Sequence, residues 1–415
     1  MEIRPFNAYR YDSKIVGSVD RVVSAPYDQY DEESQAAAYK KSPFHYVRLI
    51  YPTDANTHEE AAGTLSRWMN EGVLTREDGP AIYPYSQIYT DARGEEHTRH
   101  GFFALLRLTP FGDGPVYPHE RTMPKTQEDR LNLMRATKAD FGPVFITFDD
   151  KDGEITKLLV ETHHRDAEIA VPDGDGNEHH MWVQKDQSWV QKLVDKMKDI
   201  EGVIADGHHR YKAALQYAEE MRATGGNDHP ANFKLVAFFP SFEDNIMVSP
   251  IHRVIENWPA EADEKKFFNV ARMQFWMPED AERAATDSGG AFGMFSKSTG
   301  TEMWAHKHGA PQVWDGEPSD DYKGVPAAAL EASVLRGIMG MSTEDIGAKK
   351  GIRFVNTVAE AKRLIWGGWD RVFLLPPTPL STIIKIAKSG ELMPQKSTYF
   401  YPKLLSGLVT YIHEA

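Results

Sequence analysis

Cysteine is absent from the 415 residues. Disulfides, thiolate zinc sites, iron–sulfur clusters and cysteine nucleophiles are thereby excluded. Positive charge is scarce: 47 Lys and Arg stand against 61 Asp and Glu, a formal net charge of −14. That balance argues against partners such as nucleic acid or an anionic membrane, which require Lys and Arg gathered on one face. No apolar run approaches the roughly 20 residues that span a bilayer. The opening stretch MEIRPFNAYRYD lacks the charged-then-apolar design of a signal peptide. A cytoplasmic protein is the expectation, and self-association into a homo-oligomer stays open. Familiar nucleotide motifs are missing too. There is no GxxxxGK[ST] and no GxGxxG at a strand–helix junction, so any nucleotide is held by neither a Walker loop nor a Rossmann fingerprint. HExxH is likewise absent. The chain shows no internal repeat and no low-complexity segment.

What is present suits a globular protein: 41% hydrophobic and 26% charged residues, with length for two or three domains. RVVSAPYD (21–28) and HYVRLIYP (45–52) read as strands, since each carries β-branched or aromatic residues and a proline near its end. EESQAAAYKKS reads as a helix opened by Asp31. Residues 58–74 read as another, with Ala61, Leu65, Trp68 and Met69 on one face. Residues 81–108 read as a hairpin turning near Ala92–Glu95. A Pro-bounded loop from 116 leads to a helix starting near Glu128 and then a strand, PVFITF. EIAVPDGDGNEHHMWVQKD is a second hairpin. Its DGDGNE resembles a calcium loop, but the sixth position lacks the required Gly and the twelfth lacks Glu, so a tight turn is expected. KLVAFFPS and IMVSPIHRVI read as one strand each. Beyond about 256, charged helices alternate with single strands such as GGAFGMFS, GIRFVN and RVFLLPP. This order predicts an α+β protein with mixed sheets, divided into an N-terminal α/β part (1–115), a core (116–255) and a C-terminal α/β domain (256–415).

The most informative stretch is GVIADGHHRYKAAL (202–215). Val203–Ile204–Ala205 reads as a buried strand end, and apolar or small residues at 211, 214, 215, 218 and 221 mark one helical face. Asp206 is placed to cap that helix, and Gly207 permits the sharp turn. His208, His209 and Arg210 then fall in the first turn, where backbone N–H groups lack intrahelical partners and the dipole is positive. A guanidinium beside those donors makes an anion pocket suited to phosphate, with a bidentate geometry that Lys cannot reproduce. The alternative is a plain cap beside a solvated histidine pair, since His163–His164 and His179–His180 are adjacent pairs as well. Zinc is disfavoured because neighbouring histidines diverge on a helix.

Three further groups carry chemistry. PHERTMPKTQEDR (118–130) packs Glu120, Arg121 and Lys125 with His119, Asp129 and Arg130 around two prolines. A stiff loop of that kind supplies a base for a hydroxyl and cations for a moving phosphate, or else ordinary ion pairs on a solvated loop. MPQKSTYFYPKLLSGLV (393–409) offers Lys396, Ser397, Thr398 and Lys403 to a phosphate or carboxylate, with Phe400 reading as core. VSPIHR puts His252 and Arg253 at a strand end.

Together RPFNAYRY, VVSAPYD, PHERTMPKTQEDRLNLMRATKADFGPVF, IADGHHRYKAAL and MPQKSTYFYPKLLSGLV resemble, in order, the blocks of a bacterial and archaeal family catalogued as "domain of unknown function 1015". The DGHHR box is also similar to the G-x-x-R box of the ParB/sulfiredoxin superfamily, whose members include nucleotide-binding ParB proteins, sulfiredoxins and free-serine kinases. The resemblance implies a ParB/sulfiredoxin-like nucleotide-binding core with the helix N-terminus at the phosphates. Sulfiredoxin activity is excluded, because His208 stands where its cysteine would be. The free-serine kinases share the Asp–Gly–His start most closely. The resemblance implies that Asp206, His208, His209 and Arg210 bind or activate phosphates, with Gly207 at the turn and Asp206 as the candidate ligand for Mg²⁺. Arg121 and Lys125 are assigned to phosphate as well. Glu120 is the candidate base, on chemical grounds alone. Lys396, Ser397, Thr398, Lys403, His252 and Arg253 are the candidate substrate-binding set. The expected activity is phosphoryl transfer between a nucleotide, ATP or ADP, or another phosphate donor, and a small hydroxylated metabolite such as L-serine. Either direction is open, including phosphoserine to serine. A nucleotide-operated regulatory switch and a phosphohydrolase are the alternatives.

Overall fold

A computed structural model describes residues 1–53, 57–91, 94–241, 245–274 and 276–413. The chain forms two compact units: Met1–Pro118 with Thr122–Ile246 and Pro402–Ala415, and His119–Arg121 with Met247–Tyr401. Both are α+β. The change of texture near 256 lies ten residues past the point where the chain leaves the first unit, at 246/247.

The first unit is built on a nine-stranded mixed sheet. Its order is Val116–Tyr117, Gly202–Asp206, Val144–Phe148, Phe233–Pro240, Glu96–Arg107, Tyr83–Thr90, Glu178–Met181 and Ile169–Pro172, with Ile3–Arg4 also pairing Glu96–Arg107. All eight residues of Phe233–Pro240 are buried, the pattern of a central strand covered on both faces rather than of one with a wet side. Both expected hairpins form, with Ser86 opposite His100 and His179 opposite Val171. The turn of the first includes residues 92 and 93, which lie outside the described residues. DGDGNE is a tight turn in which Asp173 Oδ1 accepts from the amides of Asp175 and Asn177, each at 2.9 Å.

Helix Glu32–Lys41 forms as expected, opened by an Asp31–Ser34 capping box, whereas the helix expected over 58–74 runs Thr57–Asn70 and Leu74 begins the short strand Leu74–Arg76. Two others lie side by side and parallel, Pro124–Thr137 and His208–Gly225. Met123 meets His209 at their starts, and Arg135 pairs with Glu220 further along. The first of them begins four residues earlier than the sequence suggests. Pro124 occupies its first position, where a missing N–H costs nothing. Tyr211, Ala214 and Ala218 are buried on the other, joined by Ala213 and Tyr217.

Two expected strands do not form. Residues 21–28 run through single 3₁₀ turns (Val19–Arg21, Tyr27–Gln29), and Val47–Ile50 is one turn of helix. Val47, Leu49 and Ile50 are all buried, and a short apolar run satisfies a buried helical turn as well as a buried strand.

The second unit is built on a six-stranded antiparallel sheet, ordered Phe268–Arg272, Gly300–His306, Ala291–Ser296, Arg371–Leu374, His252–Ile255 and Ile352–Val355. Val254, Val355, Val372 and Leu374 pack there with Ala281 and Ile365 from the helices Pro278–Ser288 and Val358–Trp366. The single strand expected over 246–255 divides at Pro250. Met247–Ser249 pairs Tyr399–Tyr401, and His252–Ile255 enters the large sheet, because proline cannot donate to a ladder. Among the described residues no helix is long and apolar enough to cross a membrane.

Candidate functional site

In the first unit, strand Gly202–Asp206 ends at a glycine that does two things. Gly207 adopts φ +97°, in the left-handed region, and a Cβ there would stand 3.1 Å from the Arg210 guanidinium. Any side chain at 207 would strain the turn and crowd the arginine. Contrary to expectation, Asp206 does not cap the helix. Gly207 holds the N-cap position and no side chain caps it. The carboxylate of Asp206 is drawn instead to two cations: Oδ2 accepts from Arg210 Nη2, and Oδ1 from Lys403 Nζ at 2.7 Å. Charge-assisted bonds of this kind outweigh one to a neutral amide. Arg210 also donates to the Pro143 carbonyl. Gly142 lets the arginine lie close, since a Cβ there would sit 3.2 Å from its Cδ.

Arg210 stands at the wall of a cavity of about 470 Å³, counting its open mouth. Tyr27, Ile50, Leu133, Met134 and Phe141 give it an apolar lining, while Arg130, Asp140 and Ser406 join Arg210 as polar groups. Arg130 lies over the Tyr27 ring, 4.0 Å from its centroid, and donates to the Ile50 carbonyl at 2.8 Å. Asp140 is buried and pairs with the buried Lys234, whose ammonium also donates to the Gly142 carbonyl at 2.9 Å. Burial pushes the Lys234 ammonium down to about 8, against the pull of Asp140. Apart from Arg210 and Arg130, none of this lining is among the residues that the sequence points to. The available signal was a charge in an apolar frame: Lys234 beginning KLVAFFP and Asp140 inside KADFGPV.

His208 is buried. His209 Nε2 accepts the Met123 amide at 2.8 Å, which fixes that nitrogen as an unprotonated acceptor and ties together the starts of the two parallel helices. Lys212 reinforces the join by donating to Thr122 Oγ1 at 2.8 Å, and burial lowers its ammonium. Lys125 is exposed in the first turn of its helix rather than on a loop.

The remaining candidates belong to the second unit, except Lys403. Glu120 is half-buried, and its stretch runs beside Met393, whose amide donates to the His119 carbonyl at 2.8 Å. Arg121 reaches Asp315 at 3.8 Å. Both His252 ring nitrogens are engaged, Nε2 with Glu282 at 3.0 Å and Nδ1 with the Leu375 amide at 3.2 Å. Arg253 is buried over Phe354, 4.7 Å from the ring centroid. Ser397 donates to the Pro394 carbonyl at 2.6 Å, and Thr398 meets His119 Nε2 at 2.9 Å. The block 393–409 is thus divided, with Lys396, Ser397 and Thr398 in the second unit and Lys403 at Asp206 in the first. Among the described residues one three-ligand group could hold a metal: Asp91, Glu95 and His97, in the turn of the first hairpin.

Several solved structures resemble the chain at low identity. A free serine kinase in complex with AMP is 13% identical over 69% of this chain and 83% of its own, with a TM-score of 0.37. A conserved hypothetical protein from Pyrococcus furiosus is 14% identical over 70% and 89%, at 0.33. SbnI from Staphylococcus aureus, with a C-terminal truncation, is 12% identical over 74% and 86%, at 0.34. No curated protein matches. The blocks that carry Glu120, Asp206–Arg210 and Arg253 all fall within residues 3–330, the span matched by the family model "Protein of unknown function (DUF1015)", and the chain belongs to that family.

Proposed function

We propose that the first unit binds the phosphates of a nucleotide, ATP or ADP, and that the protein moves a phosphoryl group between this donor and a small hydroxylated metabolite. One observation carries the reading: Arg210 and Lys403 converge on a single carboxylate beside an uncapped helix N-terminus, where Arg210 opens onto an apolar cavity. A phosphate arriving there replaces Asp206 as the anion that both cations face. Such an exchange avoids the cost of desolvating bare charges, and the helix N-terminus adds donors already aimed outward. The cavity then receives the apolar part of the donor.

Asp206 acts as the placeholder that keeps Arg210 and Lys403 aligned. His208 and His209 keep the helix start in place, and Lys125, in the first turn of the neighbouring helix, adds positive charge. Both Asp206 oxygens face cations, so this donor set does not fit a resident metal. Magnesium enters with the nucleotide as part of the donor. Phosphoryl transfer needs a base that takes the acceptor's proton as its oxygen bonds to phosphorus and the bond to the leaving phosphate breaks, and Glu120 is the candidate for that role. Lys396 and Arg253 serve the acceptor, while His252, Ser397 and Thr398 hold the strands that carry them. The similarity of the DGHHR stretch to the box of the free-serine kinases supports this reading.

The test combines ATP, ADP or pyrophosphate with Mg²⁺ and L-serine, and follows products by phosphorus NMR. A phosphomonoester formed with one donor is expected. Arg210→Ala should weaken donor binding by about 10- to 100-fold. Glu120→Gln should cut turnover by about 10²- to 10⁴-fold with donor binding intact. Tight nucleotide binding without transfer would replace this reading with a regulatory switch. Phosphate release indifferent to acceptor would replace it with a hydrolase.

A further inference from the structure

The second unit has a cavity of its own, about 520 Å³ counting its mouth, with Arg121, Arg253, Glu331, Thr343, Phe354 and Gln395 in its wall. Arg253 is the unusual member. Its side chain is buried, yet among the described residues its hydrogen-bond partners are two backbone carbonyls, of Ile251 and, at 3.3 Å, Gln395. Glu331, the nearest acid in this wall, is already held by Arg336 at 2.8 Å. It and Glu120 act on Arg253 only through space. A buried guanidinium without a hydrogen-bonded carboxylate is costly, and such a group persists where an anion completes it.

The backbone around this cavity is also irregular. Glu331–Ile338 is a π-helix, a rare conformation concentrated at functional sites, and it brings Glu331 and Leu335 to the wall. Three non-glycine residues in the described chain have positive φ, and two belong to this region: Lys349 and Lys396, both at +57°. Lys349 follows the wall residue Gly347 by two positions, and Lys396 follows Gln395. Each ammonium feels the other, and burial, Lys396 and Arg353 together lower that of Lys349. Backbone strain of this kind collects where a site is shaped for a ligand.

We propose that this cavity binds the oxyanion group of a small metabolite, its carboxylate or phosphate, with Arg253 as the planar anchor and Arg121, Lys349 and Lys396 supplying the surrounding field. The acceptor is then a hydroxylated anion and not a neutral alcohol or sugar. Only the word acceptor rests on the phosphotransfer reading; the binding site stands without it.

The experiment titrates the full chain, without nucleotide, with glycerate, inorganic phosphate and glycerol by calorimetry. Glycerate should bind and glycerol should not. Arg253→Met should weaken glycerate at least tenfold, and Arg253→Lys, which keeps charge but loses the fork, should recover little of it. Arg210→Ala should leave glycerate binding unchanged. Phosphate that depends on Arg253 would make the phosphate group the natural ligand, whereas phosphate that depends only on Arg210 belongs to the first unit. Glycerate binding unaffected by both Arg253 variants, or no anion binding at all, overturns the proposal. Binding at Arg253 without any phosphoryl transfer would leave this site standing and remove the kinase reading. Transfer to a neutral acceptor, indifferent to Arg253, would do the reverse.

Discussion

The cations around the two cavities are treated differently. In the first, Lys234 is matched to Asp140, and Arg210 and Lys403 share Asp206. In the second, Arg253 has carbonyls and an aromatic face but no carboxylate within bonding distance among the described residues. A matched cation is part of the folded structure, and a ligand reaches it by exchange. A cation left incomplete holds a cost that a ligand relieves. Stability and function are therefore expected to separate along this line.

The largest effect should come from breaking the matched pair. Lys234→Met strands a buried carboxylate and should cost about 3–5 kcal/mol, read from urea unfolding. Arg253→Met removes a buried charge that has no such partner among the described residues and should be neutral or stabilising in the same assay. If the two variants destabilise equally, the contrast between the two sites is wrong.

Acid gives the second separation. His413 is buried in the first unit, stacked on Tyr217, with neither ring nitrogen hydrogen-bonded among the described residues. Burial first, then Lys234 and His229, pushes its imidazole down to about 3 from an ordinary 6.5. Between those values the unfolded chain binds the proton and the folded one does not, so stability falls as pH drops through that window. His413→Phe should flatten this acid limb in thermal melts, while Arg253→Met should leave it unchanged. A limb that persists in His413→Phe would assign it to other groups, such as His45 or His163, which burial also lowers to about 4.

Smaller effects follow at the turn. Gly207→Ala must hold φ +97° with a Cβ 3.1 Å from the Arg210 guanidinium. It should cost about 1–2 kcal/mol and weaken donor binding as Arg210 shifts. Lys125→Ala, on an exposed first turn, should change stability by less than about 0.5 kcal/mol. A large loss there would mean that Lys125 contributes far more than its exposure implies.

Much of this was legible in the chain. The Asp206–Arg210 turn needs only a β-run, a glycine and a helical period, and all three are local. Both hairpins announce themselves by alternation around Gly-containing turns. Residues 45–52 read as a strand because the buried apolar Val47, Leu49 and Ile50 satisfy a strand and a helical turn alike, and only their surroundings choose. Asp206 looked like a cap because capping is the local option. Lys403, some 200 residues away in sequence, outbids the helix amides, and no local pattern reveals that.

By itself the sequence determined the exclusions that follow from its lack of cysteine, its acidic balance, its family and the strand–glycine–helix at 202–215. Those depend on composition or on neighbours along the chain. Only the tertiary structure decided that 393–409 is divided between two units, that Asp206 gathers Arg210 and Lys403, and that Arg253 is buried with no hydrogen-bonded carboxylate among the described residues. Each of these depends on which distant groups share a low-dielectric space, and charge pairing there is settled by proximity in three dimensions, not by spacing in one.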